Sequence, residues 1–96
     1  MRQVRFTPEA ARTLAEQLDY LIGRGALLPA QALKARVEGF VSTTLANYPR
    51  NGRYVPQRDL WETWIPRTRL IVWYTFNDDT LVLLAFWHTS QNRAGG

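Results

Sequence analysis

The stretch RLIVWYTFNDDTLVLLAFWHTSQNR, residues 69 to 93, decides how this chain folds. Two runs rich in β-branched and aromatic residues flank Asn77-Asp78-Asp79-Thr80, four residues that tolerate left-handed or side-chain-bonded backbone. That pattern reads as a β-hairpin. Counting outward from the turn, Phe76 faces Leu81, Tyr74 faces Leu83, Val72 faces Ala85 and Leu70 faces Trp87 on one side of the sheet. Thr75/Val82, Trp73/Leu84 and Ile71/Phe86 meet on the other side, and Arg69 stands opposite His88. A bulge would break this register. The hairpin is apolar on both faces, so a layer of helices satisfies only one of them.

The rest of the chain supplies that layer. Gln3 to Phe6 alternates and predicts a short first strand with Val4 and Phe6 inward. Thr7-Pro8-Glu9-Ala10 is a helix start: a hydroxyl to cap, proline at the first helical position and an acid in the first turn. Ala11, Leu14, Leu18, Leu21 and Ile22 follow helical spacing until Gly23 and Gly25. Pro29 opens a second helix with Leu33, Val37, Phe40, Val41 and Leu45 as its stripe. Residues 48 to 52 read as a turn, and a strand follows from about Asp59 to Ile65, bracketed by Pro56 and Pro66. The expected fold is α+β, in the order β-α-α-β-β-β: a helical hairpin packed on one face of a small, mainly antiparallel four-stranded sheet. Residues 1–96 are expected to form a single domain, with about 94–96 as a frayed tail.

Composition narrows the chemistry. Ninety-six residues at 46% hydrophobic content supply one core and not two. With no cysteine and a single histidine, thiolate and multi-histidine metal sites are excluded, and no cofactor is expected. The opening MRQVRFTPEA has no apolar segment of the kind that targets export, so a cytoplasmic location is expected. The net charge of +4 is unevenly spread. Residues 8–46 balance, residues 47–69 carry a surplus of three from Arg50, Arg53, Arg58, Arg67 and Arg69 over Asp59 and Glu62, and Arg2 and Arg5 add two. Localised arginine suits a phosphate backbone or an acidic protein. The expected open face carries Ile71, Trp73, Val82, Leu84 and Phe86 beside Arg69 and His88. Such a patch marks a partner-binding surface, or one covered by the C-terminal tail or a second copy.

In order and spacing, four pieces of the chain resemble the RelE/ParE superfamily, the toxins of bacterial type II toxin–antitoxin systems. They are the opening V-x-F-T-P-E-A, the helical hairpin, PRTRLIVWY at 66–74, and the ending FWHTSQNR at 86–93. The resemblance implies a toxin neutralised by a small, acidic antitoxin whose C-terminal segment wraps the helical hairpin and the open sheet face. It implies one of two activities. ParE-like members poison DNA gyrase with no chemistry of their own, and the HTSQNR ending favours this branch. RelE-like members cut mRNA on the ribosome, which needs a base for the 2′-OH, a cation for the phosphate and an acid for the leaving oxygen.

For cutting, Arg69 and His88 match family positions, with Tyr54, Glu62 and Arg93 as weaker candidates. The clustered lysines of active RNase members are missing, and Thr89 follows His88 where an aromatic is usual. The strand DLWETWI departs from the ParE branch in lacking an arginine, and Trp61 and Trp64 occupy that stretch as core or as anchoring residues. Contacts to gyrase, or to the ribosome with its mRNA, fall to Arg50, Arg53, Arg58, Arg67 and Arg93. The antitoxin falls to the open-face residues, and assembly with it into an oligomer is compatible with this reading. An inactive interaction module is the remaining alternative.

Overall fold

The computed structural model describes residues 1–90. Strand β1 (Gln3–Phe6) passes through Thr7 into α1 (Pro8–Gly23), as the capping signature predicts. The Thr7 backbone is extended, and its hydroxyl oxygen accepts from the Ala10 amide at 3.1 Å. Gly25, in the left-handed region at φ 76°, turns the chain after α1, and its amide donates to the Ile22 carbonyl at 3.0 Å. Helix α2 (Leu27–Gly39) starts two residues before Pro29, which the first turn of a helix tolerates because that N–H needs no helical partner. It runs on as a π-helical stretch, Phe40–Leu45. There the Ser42 and Thr43 hydroxyls donate to the Glu38 and Gly39 carbonyls at 2.8 and 2.6 Å, competing with the backbone ladder.

Strands β2 (Arg53–Val55), β3 (Leu60–Trp64), β4 (Leu70–Phe76) and β5 (Thr80–His88) complete a five-stranded sheet among the described residues, in the order β1-β5-β4-β3-β2. All neighbours are antiparallel except β1, which lies parallel to β5. The α+β class and the order of elements are as expected, with one strand more. Strand β2 escapes a reading of periodicity because three residues carry too little pattern, and only pairing with β3 defines it.

The core lies between the helices and one sheet face. Ala10, Leu14, Val37, Val41 and Leu45 from the helical side meet Leu70, Val72, Tyr74, Leu81, Leu83 and Phe86 from the sheet, closed at one end by Ile65. Each such large apolar side chain, once fully buried, contributes about 1.5–3 kcal/mol. On α1 the buried line is Ala10, Thr13 and Leu14, while Ala11 and Ile22 of the predicted stripe are exposed. Phe6 stays partly exposed, its ring 6.0 Å from that of Phe86. Trp61 packs between Tyr54 and Phe76 at 5.7 and 5.4 Å, and Trp64 lies largely in solvent.

The hairpin register holds only near the turn. Phe76/Leu81, Thr75/Val82 and Tyr74/Leu83 pair as predicted. The register then shifts by one residue: Trp73 faces Ala85, Val72 faces Phe86, Ile71 faces Trp87 and Leu70 faces His88, and Leu84 has no partner on β4. This is a β-bulge, and everything beyond it changes sides. Phe86 is therefore not on the open face but in the core at 1% exposure, and Ala85 has left the helical side. Arg69 is not paired with His88; its carbonyl accepts from the Thr89 amide at 2.8 Å.

Two threonines hold the bulge. The Thr13 hydroxyl oxygen accepts from the Phe86 amide at 2.9 Å while donating to the Glu9 carbonyl at 2.8 Å. The Thr7 hydroxyl lies 3.0 and 3.1 Å from the Leu83 and Leu84 carbonyls. Backbone groups released by the broken ladder are thus paired from the start of α1, which removes the cost of burying them unsatisfied.

Candidate functional site

The end of the sheet remote from the β4–β5 turn brings two candidate residues together. Because of the bulge, His88 shares the helical side of the sheet with Leu70. His88, Leu70 and Arg69 line a cavity of about 210 Å³ with Gln17, Tyr20 and Leu21 of α1 and Leu33 of α2. Arg69 also borders a second, wider cleft of about 560 Å³ with Trp64, Arg67, Thr68 and Thr89. It therefore stands on the rim between the helical cavity and the open side. The Ser90 amide donates to His88 Nδ1 at 3.1 Å, and the Ser90 hydroxyl lies 2.7 Å from the same atom. An atom that accepts from an amide carries no proton of its own, so the neutral ring holds its proton on Nε2.

The weaker candidates lie elsewhere. Glu62, on β3, receives Arg53 Nη2 on one carboxylate oxygen at 2.9 Å and Trp73 Nε1 on the other at 2.8 Å. The Tyr54 hydroxyl donates to the Asp59 carboxylate at 2.6 Å, a bond that raises its pKa above the usual phenol range. Tyr54 pairs with Trp61, whereas Glu62 pairs with Arg53, so the two point to opposite faces. Arg93 lies outside the described residues. Arg69 and His88 thus share a cavity that neither Glu62 nor Tyr54 lines. Among the described residues no cluster of three His, Asp or Glu side chains gathers to hold a metal ion.

Of the apolar patch expected on the open face, all but Phe86 remain there. Ile71, Trp73, Val82 and Leu84 are half-buried. Trp73 and Trp87 lie with ring centroids 5.1 Å apart, and the Arg58 guanidinium sits over the Trp73 ring at 5.0 Å. With Arg53 on Glu62, this is an indole surface edged by arginine. Trp87 Nε1 is buried, and among the described residues no acceptor meets it.

Of the five arginines assigned to target contacts, the four among the described residues do not form one patch. Arg53 and Arg58 stand on the open face, and Arg67, with left-handed backbone at φ 61°, occupies the β3–β4 turn. Arg50 lies elsewhere, over the Phe76 ring at 5.4 Å. Arg2, which the sequence gives no reason to place there, approaches the same ring at 5.5 Å. Trp87 and Thr13 are likewise unforeseen, since both depend on the bulge.

This fold, a helical hairpin over a mixed sheet that ends in the His88 strand, is that of the RelE/ParE superfamily of toxins. The model of the family described as ParE toxin of type II toxin-antitoxin system, parDE, matches residues 4–93, and the chain belongs to that family. It is a ParE-like toxin of the type II class. Among solved structures it is similar to the chromosomal ParDE TA system from P. aeruginosa, with a TM-score of 0.77 over 92% of this chain and 96% of that one, at 14% identity. At that identity the likeness speaks for the fold. No curated protein matches the chain. Among the described residues no helix is long and apolar enough to cross a membrane.

Proposed function

We propose that this chain stops growth by poisoning DNA gyrase in the cytoplasm, and that a small, acidic cognate antitoxin neutralises it. Membership of the ParE family carries this reading. The scatter of acid–base groups supports it over mRNA cleavage: Glu62 and Tyr54, the two described candidates for the remaining roles, are each engaged by other side chains. For the antitoxin, the reading rests on the net charge of +4 and on the indole and aliphatic open face, Ile71, Trp73, Val82 and Leu84. Phe86, being core, drops out of that surface.

Purified toxin is expected to inhibit gyrase supercoiling and to trap cleaved DNA, and to leave mRNA on programmed ribosomes intact. Cutting on ribosomes with no effect on gyrase would overturn the proposal. The RNase reading keeps one specific support, the shared cavity of Arg69 and His88. If it holds, Arg69→Ala and His88→Ala each lower the cleavage rate on the order of 10²-fold with the fold intact.

A further inference from the structure

We infer that the turn end of the sheet, remote from Arg69 and His88, is a binding site for single-stranded nucleic acid, with Arg2 and Arg50 on the phosphates and Tyr48 under a base. Both guanidinium groups lie against one ring: the Arg2 and Arg50 carbons are 5.5 and 5.4 Å from the Phe76 centroid. The two charges are therefore at most about twice that distance apart, within reach of neighbouring phosphates on one strand. Neither arginine forms an ion pair with a carboxylate among the described residues, in contrast to Arg12, Lys34 and Arg53. Like charges gathered without a counter-ion leave a positive potential that a polyanion lowers.

The site is built before a ligand arrives. Arg2 is held by the Asn77 carbonyl through Nε at 2.5 Å and by the Ala46 carbonyl through Nη1 at 3.3 Å, which leaves its Nη2 hydrogens free of those bonds. The loop that bears Arg50 is anchored to the core, because the Tyr74 hydroxyl donates to the Pro49 carbonyl at 2.7 Å. Arg2, Asn47, Tyr48, Pro49, Arg50 and Asn51 line a cleft of about 480 Å³. Among the described residues no acidic side chain lines it, and Asn51 offers an amide that can donate and accept. Tyr48 is 70% exposed, a large ring left in water at the mouth of a basic cleft. Arginine beside an aromatic platform is the combination that holds unpaired strands, since every base presents a π-face whatever its identity. Asp78 and Asp79 follow Asn77, whose carbonyl holds Arg2, and both are exposed.

Fluorescence anisotropy with labelled oligo-dT and oligo-U of twelve nucleotides, and with a duplex of the same length, tests this without gyrase or antitoxin, so the outcome is independent of the proposed target. Wild type is expected to bind single strands more tightly than duplex, and the tighter of the two oligonucleotides identifies DNA or RNA as the source. Arg2→Gln with Arg50→Gln should weaken binding at least tenfold at 50 mM salt. It should also lower the slope of log K against log salt by about 1.4, the value for two lost phosphate contacts on a single strand. Tyr48→Ala should weaken binding several-fold, and Asp78→Asn with Asp79→Asn should tighten it.

Arg12→Gln with Arg24→Gln removes the same charge from α1 and its end, and should change affinity less than twofold. Because Arg2 also holds backbone, Arg50→Glu serves as a second variant whose Tm should match wild type while binding is lost. Equal losses from the two arginine pairs, or an Arg50→Glu or Tyr48→Ala protein that binds like wild type, would overturn the site.

Discussion

The two halves of the β4–β5 hairpin are made of similar residues and are held by different forces. Near the turn, Asn77 organises the strands locally: its side-chain oxygen accepts from the Asp79 and Thr80 amides, both at 2.9 Å, and the pairs out to Tyr74/Leu83 follow by alternation. Beyond Leu84 the register is set by α1, whose Thr13 and Thr7 take up the backbone groups of the bulge. Local turn chemistry fixes a register only until a tertiary contact offers the backbone something better. Here the alternative places a large aromatic, Phe86, in the core and a small residue, Ala85, opposite Trp73.

The largest expected effect lies in the distal half. Phe86→Ala should cost about 3–5 kcal/mol of unfolding free energy in urea, because it opens a cavity under Val72 and leaves the Phe6 ring without its neighbour. A cost near that of a surface substitution would mean that Phe86 faces solvent and the register is unbroken. Thr13→Val should cost about 1–3 kcal/mol, since the Phe86 amide loses its acceptor within a buried site. If Thr13→Val proves neutral, the helix is not what holds the bulge.

Tyr74, in the last pair before the shift, gives a pH test. Burial pushes its phenol pKa up to about 12 from an ordinary value near 10, so the folded chain favours the neutral form. The resulting stability is fully present below about pH 10 and is lost as the pH rises towards 12. The melting temperature should therefore fall more steeply across that window in wild type than in Tyr74→Phe, and equal slopes would contradict the assignment. Asn77→Ala should cost about 1 kcal/mol and leave the distal amides as protected from hydrogen exchange as before. Leu84→Ala, at the residue with no partner on β4, should change stability by less than about 1 kcal/mol.

Much of the architecture is legible in residue order. Thr7-Pro8 starts a helix because a hydroxyl and a fixed φ suit that position in any context, and Gly25 ends it because left-handed backbone favours a residue without Cβ. The stripe Val37, Val41 and Leu45 reads as buried because helical spacing is a local property. Gly52 is a different case. A Cβ there would lie against the Tyr74 hydroxyl and 2.5 Å from the Glu62 carbonyl, so its requirement comes from strands far off in sequence.

The candidate sites follow the same division. Arg69 and His88 are found by position in a motif, but a register counted from the turn pairs them directly, whereas the fold separates them by one register step and joins them through a cavity lined by α1 and α2. The antitoxin face loses Phe86 for that reason. Arg2 and Arg50, nearly fifty positions apart, share Phe76 because β1 runs parallel to β5 and the loop after α2 is tied to Tyr74.

Sequence by itself determined the elements, the single core, the surplus of arginine and the family to which the motifs belong, because caps, periodicity and turn chemistry act over a few neighbouring residues. Only the tertiary structure decided which side of the sheet Phe86 and His88 occupy, which arginines stand together and which carboxylates are already engaged. A one-residue shift in a ladder reverses every face beyond it, and nothing within the strand records the threonine on another element that stabilises the shift.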